Sequence, residues 1–221
     1  MAGSAAAASK LPGEGRHRSN RRQELIDAAI TSIAEHGLAR TTVARVAEAA
    51  GLSQGLLSFY FDGKQALLLA TLEYVESEFE HVRRTAMARA RTAPEWQLDA
   101  IIESTFDPTI CNPRYIAVWN AFWGEARARA DYMRVCSAHE TAQIEETIAL
   151  FREIADPNVD AEALGTAFFH LLDSIPEPFD EVGHFDLERA KRISRAFLAS
   201  VFPGRFPLPP DATTQASPGE Q

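Results

Sequence analysis

Cysteine is nearly absent. Cys111 and Cys136 are the only two in 221 residues, 25 positions apart and in no CxxC pair, which excludes a disulfide framework and a four-thiolate zinc site. Long apolar runs are missing as well, and nothing approaches the roughly 18 consecutive apolar residues of a membrane helix. The run Ala5 to Ala8 precedes its basic residues, the reverse of a secretory leader, so a cytoplasmic protein with no membrane partner is expected. No Gly-x-Ser-x-Gly elbow and no glycine-rich phosphate loop occurs, and neither cysteine has an evident histidine partner, which argues against a nucleophilic enzyme. Alternation at a period of two is almost lacking, as are Asn-Gly and Asp-Gly turns between apolar runs, so there is little from which to build a sheet.

What is present is apolar material in helical order. Hydrophobic residues make up 46% of the chain and charged residues 24%, enough for a sizeable core in a 24.3 kDa protein of one large domain or two small ones. Leu25, Ile26, Ala29, Ile30 and Ile33 form a stripe that stops at Gly37. Thr41 or Thr42 can cap a short second helix carrying Val43, Val46, Ala47 and Ala50, which ends at Gly51. Ser53 can cap a third short helix through Phe61, and Asp62 a long fourth from about Lys64 towards Arg91. Further helices are expected over 94–107, 113–128, 131–154, 159–175 and 187–201, with prolines 94, 108, 113, 157, 176 and 178 near their boundaries. The fold class is therefore all-α, with a three-helix helix-turn-helix unit over 19–65 and a larger helical bundle over 66–202. Residues 1–18 should be a flexible arm, and 203–221, with five prolines, a disordered tail.

The net charge of −9 argues against a polyanionic partner only if it is evenly spread. It is not. Residues 1–65 hold 8 Lys and Arg against 6 Asp and Glu, leaving 14 against 25 for the remainder.

The stretch from Thr41 to Lys64 resembles the DNA-binding signature of TetR-family transcriptional regulators: a Thr-initiated short helix, a Gly-hydrophobe-Ser turn, a further Gly, a Tyr-Phe pair and a Lys. The matching positions are Thr42, Gly51, Ser53, Gly55, Tyr60, Phe61 and Lys64. Within that family, Gly55-Leu-Leu-Ser-Phe-Tyr-Phe looks like the Gly-Ile-Ile-Ser-His-Tyr-Phe run of the BetI branch, the betaine-synthesis repressors. Val118-Trp-Asn-Ala-Phe-Trp-Gly-Glu-Ala126 is similar to a Trp-containing helix of that branch's C-terminal domain.

The resemblance implies a reader of double-stranded operator DNA. Helix N-termini favour phosphate, which places Thr41, Thr42 and Ser53 at the duplex backbone, with Tyr60 adding a hydroxyl. Lys64 stands at a helix N-terminus, where the macrodipole disfavours a cation unless an anion faces it. Gln54, Gly55, Leu56, Ser58 and Phe59 of the third helix are expected to face the groove. That helix has no Arg or Lys, so readout would rest on Gln54, Ser58, apolar contact with thymine methyls and DNA shape. Arg21, with Arg16, Arg18 and Arg22, would supply counterion release. Each residue also has a plain alternative: Lys64 and the arginines as solvated charge, Tyr60 as packing.

In the body, Phe106, Trp119, Phe122, Trp123, Phe168 and Phe169, with Glu103, His170 and Asp173, could line a small-molecule effector pocket suited to choline or another amine. The alternative is that these aromatics are core. The resemblance further implies a repressor that binds a palindromic operator as a homodimer. Its interface would draw on Leu164, Phe168, Leu171, Leu172 and Ile175, with Leu187, Ile193, Phe197 and Val201. No catalytic residue, metal or cofactor is expected. Two rivals are a di-iron carboxylate enzyme, from the Glu-x-x-His spacings Glu78 to His81 and Glu181 to His184, and a helical ligand-binding protein that has lost its operator.

Overall fold

The computed structural model describes residues 12–174 and 186–206, with side chains from residue 20 onward. Nine helices and no strand occur among them, the all-α class expected: α1 (Pro12–Arg40), α2 (Val43–Ala49), α3 (Gln54–Tyr60), α4 (Gly63–Arg89), α5 (Pro94–Thr105), α6 (Pro113–Ala126), α7 (Ala130–Ile154), α8 (Ala161–Ser174) and α9 (Leu187–Val201). Ile175, Pro176, Pro178, Glu181 and His184 lie outside the described residues, as does the tail beyond Phe206.

Local chemistry sets the first boundaries. Thr42 Oγ1 accepts from Arg45 N and Ser53 Oγ from Leu56 N, both at 3.2 Å, so each hydroxyl caps its short helix. Between them Gly51 takes φ +66°, a conformation that L side chains rarely adopt. At seven residues each, α2 and α3 are too short to persist alone. They are held by burial of Val46, Ala47, Leu57 and Phe61, in a unit whose core also takes Leu25, Ile26, Ile30 and Ile33 of α1.

Two expectations about the ends need correction. The arm expected over 1–18 gives way to α1 from Pro12; proline fits a first helical turn, and apolar periodicity reports a buried face, so a polar turn leaves no such trace. The apolar stripe nonetheless breaks where expected, at Gly37 with φ +77°. At the other end, the tail is not disordered from Pro203: Pro203 and Phe206 form a bridge, Phe206 is buried, and Arg205 pairs with Glu95 at 2.5 Å.

The chain divides into two compact units. The first holds residues up to Val75 together with Arg114–Met133, and the second Glu76–Pro113 with the rest. Polar contacts show why α6 and the start of α7 join the first unit. Arg114 Nη2 donates to Asp27 O at 2.9 Å and to Thr31 Oγ1 at 3.1 Å, and the Tyr132 hydroxyl donates to Gln65 Oε1 at 3.3 Å.

In the second unit the rings of Phe151, Phe168, Phe197 and Phe202 pack at centroid distances of 5.2 to 5.7 Å. α9 is tied to α5 through Arg195, which bonds Asp99 and Glu103, and Lys191, which bonds Glu103 at 2.8 Å. Gly165 lets α8 approach α7: a Cβ there would stand 3.0 Å from Ile148 Cα. Backbone cannot step aside as a side-chain tip can. Gly165→Ala is expected to destabilise this unit by about 1–3 kcal/mol despite the better helix propensity of alanine, read as a lower thermal midpoint; an unchanged or raised midpoint would refute the close packing.

Glu76, on α4, is 2% exposed. Burial, then the charge of Glu80, pushes its carboxyl up to about 8 from an ordinary 4.5. The folded chain therefore keeps a proton that the unfolded chain releases. Stability from this group is full below pH 4.5 and is lost as pH rises towards 8. Glu76→Gln should flatten the decline in unfolding free energy across that window, whereas an unaltered slope would show that Glu76 does not cause it.

Candidate nucleic-acid interface

α3 is the most solvent-facing element of the first unit's three-helix core. Leu57 is fully buried on one side, while Gln54, Gly55, Ser58 and Phe59 are exposed on the other, Phe59 to 61%; Leu56 and Tyr60 are half-buried. The Phe59 and Tyr60 rings meet edge to face at 5.3 Å. Ser58 Oγ donates to Gln54 O at 3.1 Å, which leaves its lone pairs outward as acceptors.

The flanking caps offer donors. Thr42 and Ser53 are exposed, and each uses an acceptor lone pair for its cap, so its hydroxyl proton remains available to an anion. Thr41 differs from the expectation. It is 1% exposed, and its hydroxyl donates to Gly37 O at 3.0 Å and lies 3.1 Å from Ser32 Oγ, so it belongs to the core and not to a backbone contact.

The cations are partly engaged within the chain. Lys64 Nζ donates to Leu38 O at 2.9 Å and Ala39 O at 3.2 Å, so the negative partner that its position demands is the carbonyl end of α1. An ammonium has three donors, and two are used here. Arg21 pairs with Glu24 at 2.7 Å, both half-exposed, a weak pair that phosphate can replace. The Arg22 guanidinium lies 5.2 Å from the Phe61 ring centroid. Arg16 and Arg18 lie outside the described side chains. Two exposed cations escaped the sequence reading: Arg40, and Arg45 on α2, whose Nη1 bonds Arg40 O at 2.6 Å. Arg45 falls beside the buried pair Val46 and Ala47, off their face, and that register was readable.

The residues expected to line an effector pocket do not converge within either unit. Trp119, Phe122 and Trp123 belong to the first unit; there Phe122 is fully buried against Tyr132 at 5.1 Å, and the two tryptophans meet at 5.6 Å. In the second, Phe106 and Phe168 are fully buried core, whereas His170 and Asp173 are exposed, with Phe169 half-buried beside His170 at 5.4 Å. Glu103 is no free acid: burial opposes its ionisation, but bonds from Lys191 and Arg195 outweigh that and hold its carboxyl below the usual range. Phe106, Phe122 and Phe168 are thus buried side chains, and Glu103 is held in ion pairs.

Lys64→Met, by removing the donor to two α1 carbonyls, should destabilise the protein by about 1 kcal/mol, read as a lower thermal midpoint. If Lys64 also touches phosphate, the salt dependence of DNA binding should flatten by about one unit of log–log slope. An unchanged midpoint would remove the anchoring role.

Residues 25–71 match the tetR family of bacterial regulatory proteins, and residues 94–203 the C-terminal domain of BetI-type transcriptional repressors. The chain is 30% identical over 156 residues to the HTH-type transcriptional regulator BetI of Serratia proteamaculans, spanning 70% of this chain and 78% of that protein. It is 28% identical over 179 residues to BetI of Stenotrophomonas maltophilia, spanning 80% and 91%. A TetR transcription regulator from Haloarcula marismortui shares the fold with a TM-score of 0.70 at 20% identity, over 83% of this chain and 98% of that one. A Saccharomonospora viridis protein crystallised in complex with choline shares it with a TM-score of 0.69 at 16% identity, over 81% and 96%. With its helix-turn-helix intact and its body matched, the chain belongs to the TetR family of DNA-binding transcriptional regulators, in the BetI-type branch, and is not an enzyme.

Proposed function

We propose that this regulator is a repressor that binds a palindromic operator as a homodimer and is released by a small-molecule amine. The observation that carries the reading is the exposed face of α3, flanked by the two capped N-termini at Thr42 and Ser53. Thr42, Ser53 and Tyr60 would contact phosphates, joined by Arg21 and the remaining donor of Lys64. Gln54 would pair with adenine, Ser58 would accept from a base amine, and Phe59 with Leu56 would meet thymine methyls. Gly55 would let the helix approach the duplex closely. Operator DNA puts the site of action in the cytoplasm.

A two-fold operator calls for two readers. Support for the dimer comes from α8 and α9, where Phe168, Leu172 and Leu198 fill the unit's own core. Ile193, at 40% exposed, and the half-buried Leu164, Leu171, Leu187, Phe197 and Val201 remain for a partner. Release requires an effector that binds one conformation better than the other. α4 runs from the first unit into the second and is the natural lever. The amine class is supported by the BetI-type body and by choline in a protein of the same fold.

A mobility-shift assay on DNA upstream of the gene tests the reading. The wild type should prefer that DNA to random sequence. Phe59→Ala and Gln54→Ala should each reduce the preference by about 5- to 100-fold, the range of one lost base contact, with no fall in thermal midpoint because both side chains are exposed. Undiminished preference in both variants would sink the α3 readout.

A further inference from the structure

The packing of the second unit leaves one carboxyl group incomplete. Leu68, Leu72 and Glu76 follow one another at four-residue spacing along α4, so Glu76, the first residue of the second unit, continues that helix's buried stripe with an acid. Its Oε1 has no hydrogen-bond partner, although the residue is 2% exposed. Its Oε2 lies 3.7 Å from Nδ1 of His139 on α7, beyond hydrogen-bond reach, and His139 is itself 32% exposed. Glu80 lies one turn further along α4, and Cys136, fully buried, one turn before His139; Glu140 acts on Cys136 in turn. None of these groups is itself a fixed cation; of the two further acids, Glu80 is paired with the exposed Arg84.

A buried acceptor without a donor costs its full desolvation, and sequences retain such groups where something else completes them. We infer that Glu76 anchors the effector, a small organic cation that also carries an N–H or O–H donor. The inference rests on the amine reading above and supplies its binding residue, which the residues singled out from sequence do not include. The cation balances the carboxylate and its donor fills Oε1. A quaternary ammonium without a hydroxyl brings the charge but leaves Oε1 unpartnered. Because the buried acid holds its proton up to about pH 8, an arriving cation expels it: the O–H bond breaks, the proton passes to solvent buffer, and the carboxylate pairs with the cation. His139, partly open to solvent, stands beside the group.

Isothermal titration calorimetry on the full chain at pH 7, in two buffers of different ionisation enthalpy, tests this with choline, ethanolamine and tetramethylammonium. Choline or ethanolamine should bind with release of close to one proton, and tetramethylammonium at least about tenfold more weakly. Glu76→Gln should weaken the amine at least about tenfold and abolish proton release, while keeping operator binding and a thermal midpoint no lower than wild type. Equal binding by Glu76→Gln would overturn the anchor and leave the amine reading standing. Failure of both amines to bind wild-type protein would overturn both. Tetramethylammonium matching choline, or binding without proton release, would overturn the inference even if the variant does not fold.

Discussion

Two seven-residue helices cannot hold themselves together, and the DNA-reading end of this molecule depends on how they are held. Burial of Leu57 beneath α3 and of Val46 and Ala47 beneath α2 fixes the rotation of both helices. That rotation decides which side chains remain outside. With Leu57 inward, Gln54, Ser58 and Phe59 point outward together, and the capped starts of α2 and α3 are presented with them. Lys64 adds a clamp, joining the start of α4 to the carbonyl end of α1 across 25 residues of sequence. The exposed face of α3 is thus a product of the small core beneath it.

The same logic separates the two kinds of charge in the chain. Several acids of the second unit are engaged: Asp99 and Glu103 with Arg195, Glu103 with Lys191, Glu146 with Arg83 and Glu95 with Arg205. The reader's cations are held more loosely, in exposed pairs such as Arg21 with Glu24 that phosphate can displace. An overall charge of −9 is compatible with DNA binding because the excess of acid lies after residue 65. Repulsion from that part of the chain favours a defined orientation on the duplex over indiscriminate adhesion.

Much of this was readable without coordinates because capping residues and apolar stripes are local. Thr42, Ser53, Gly51 and the whole of α9 stand where spacing placed them. What escaped was set by burial and by contacts between elements. Spacing does not show that the Thr41 hydroxyl is sealed by Gly37, one turn back, and by Ser32, while that of Thr42 stays outside. The position of Lys64 at a helix start calls for a negative partner, and the carbonyls of Leu38 and Ala39 come into view only in three dimensions. Periodicity identifies the body's aromatics without separating pocket wall from core, and the burial of Phe106 and Phe122 comes into view only in three dimensions. Glu76 was the reverse case: an acid on an apolar stripe is a legible anomaly, hidden by the many solvated acids around it.

The central claim is that the exposed face of α3 meets bases in two half-sites, and site-specific photo-crosslinking reaches it most directly. A photoreactive group placed at position 59 of the full chain, on DNA from upstream of the gene, should crosslink to bases in two places about one helical turn or a multiple of it apart, roughly 34–36 Å per turn. The same group at exposed Glu162 on α8 should give none. Crosslinks from position 59 that scatter evenly along the DNA, or that are matched from position 162, would contradict the account.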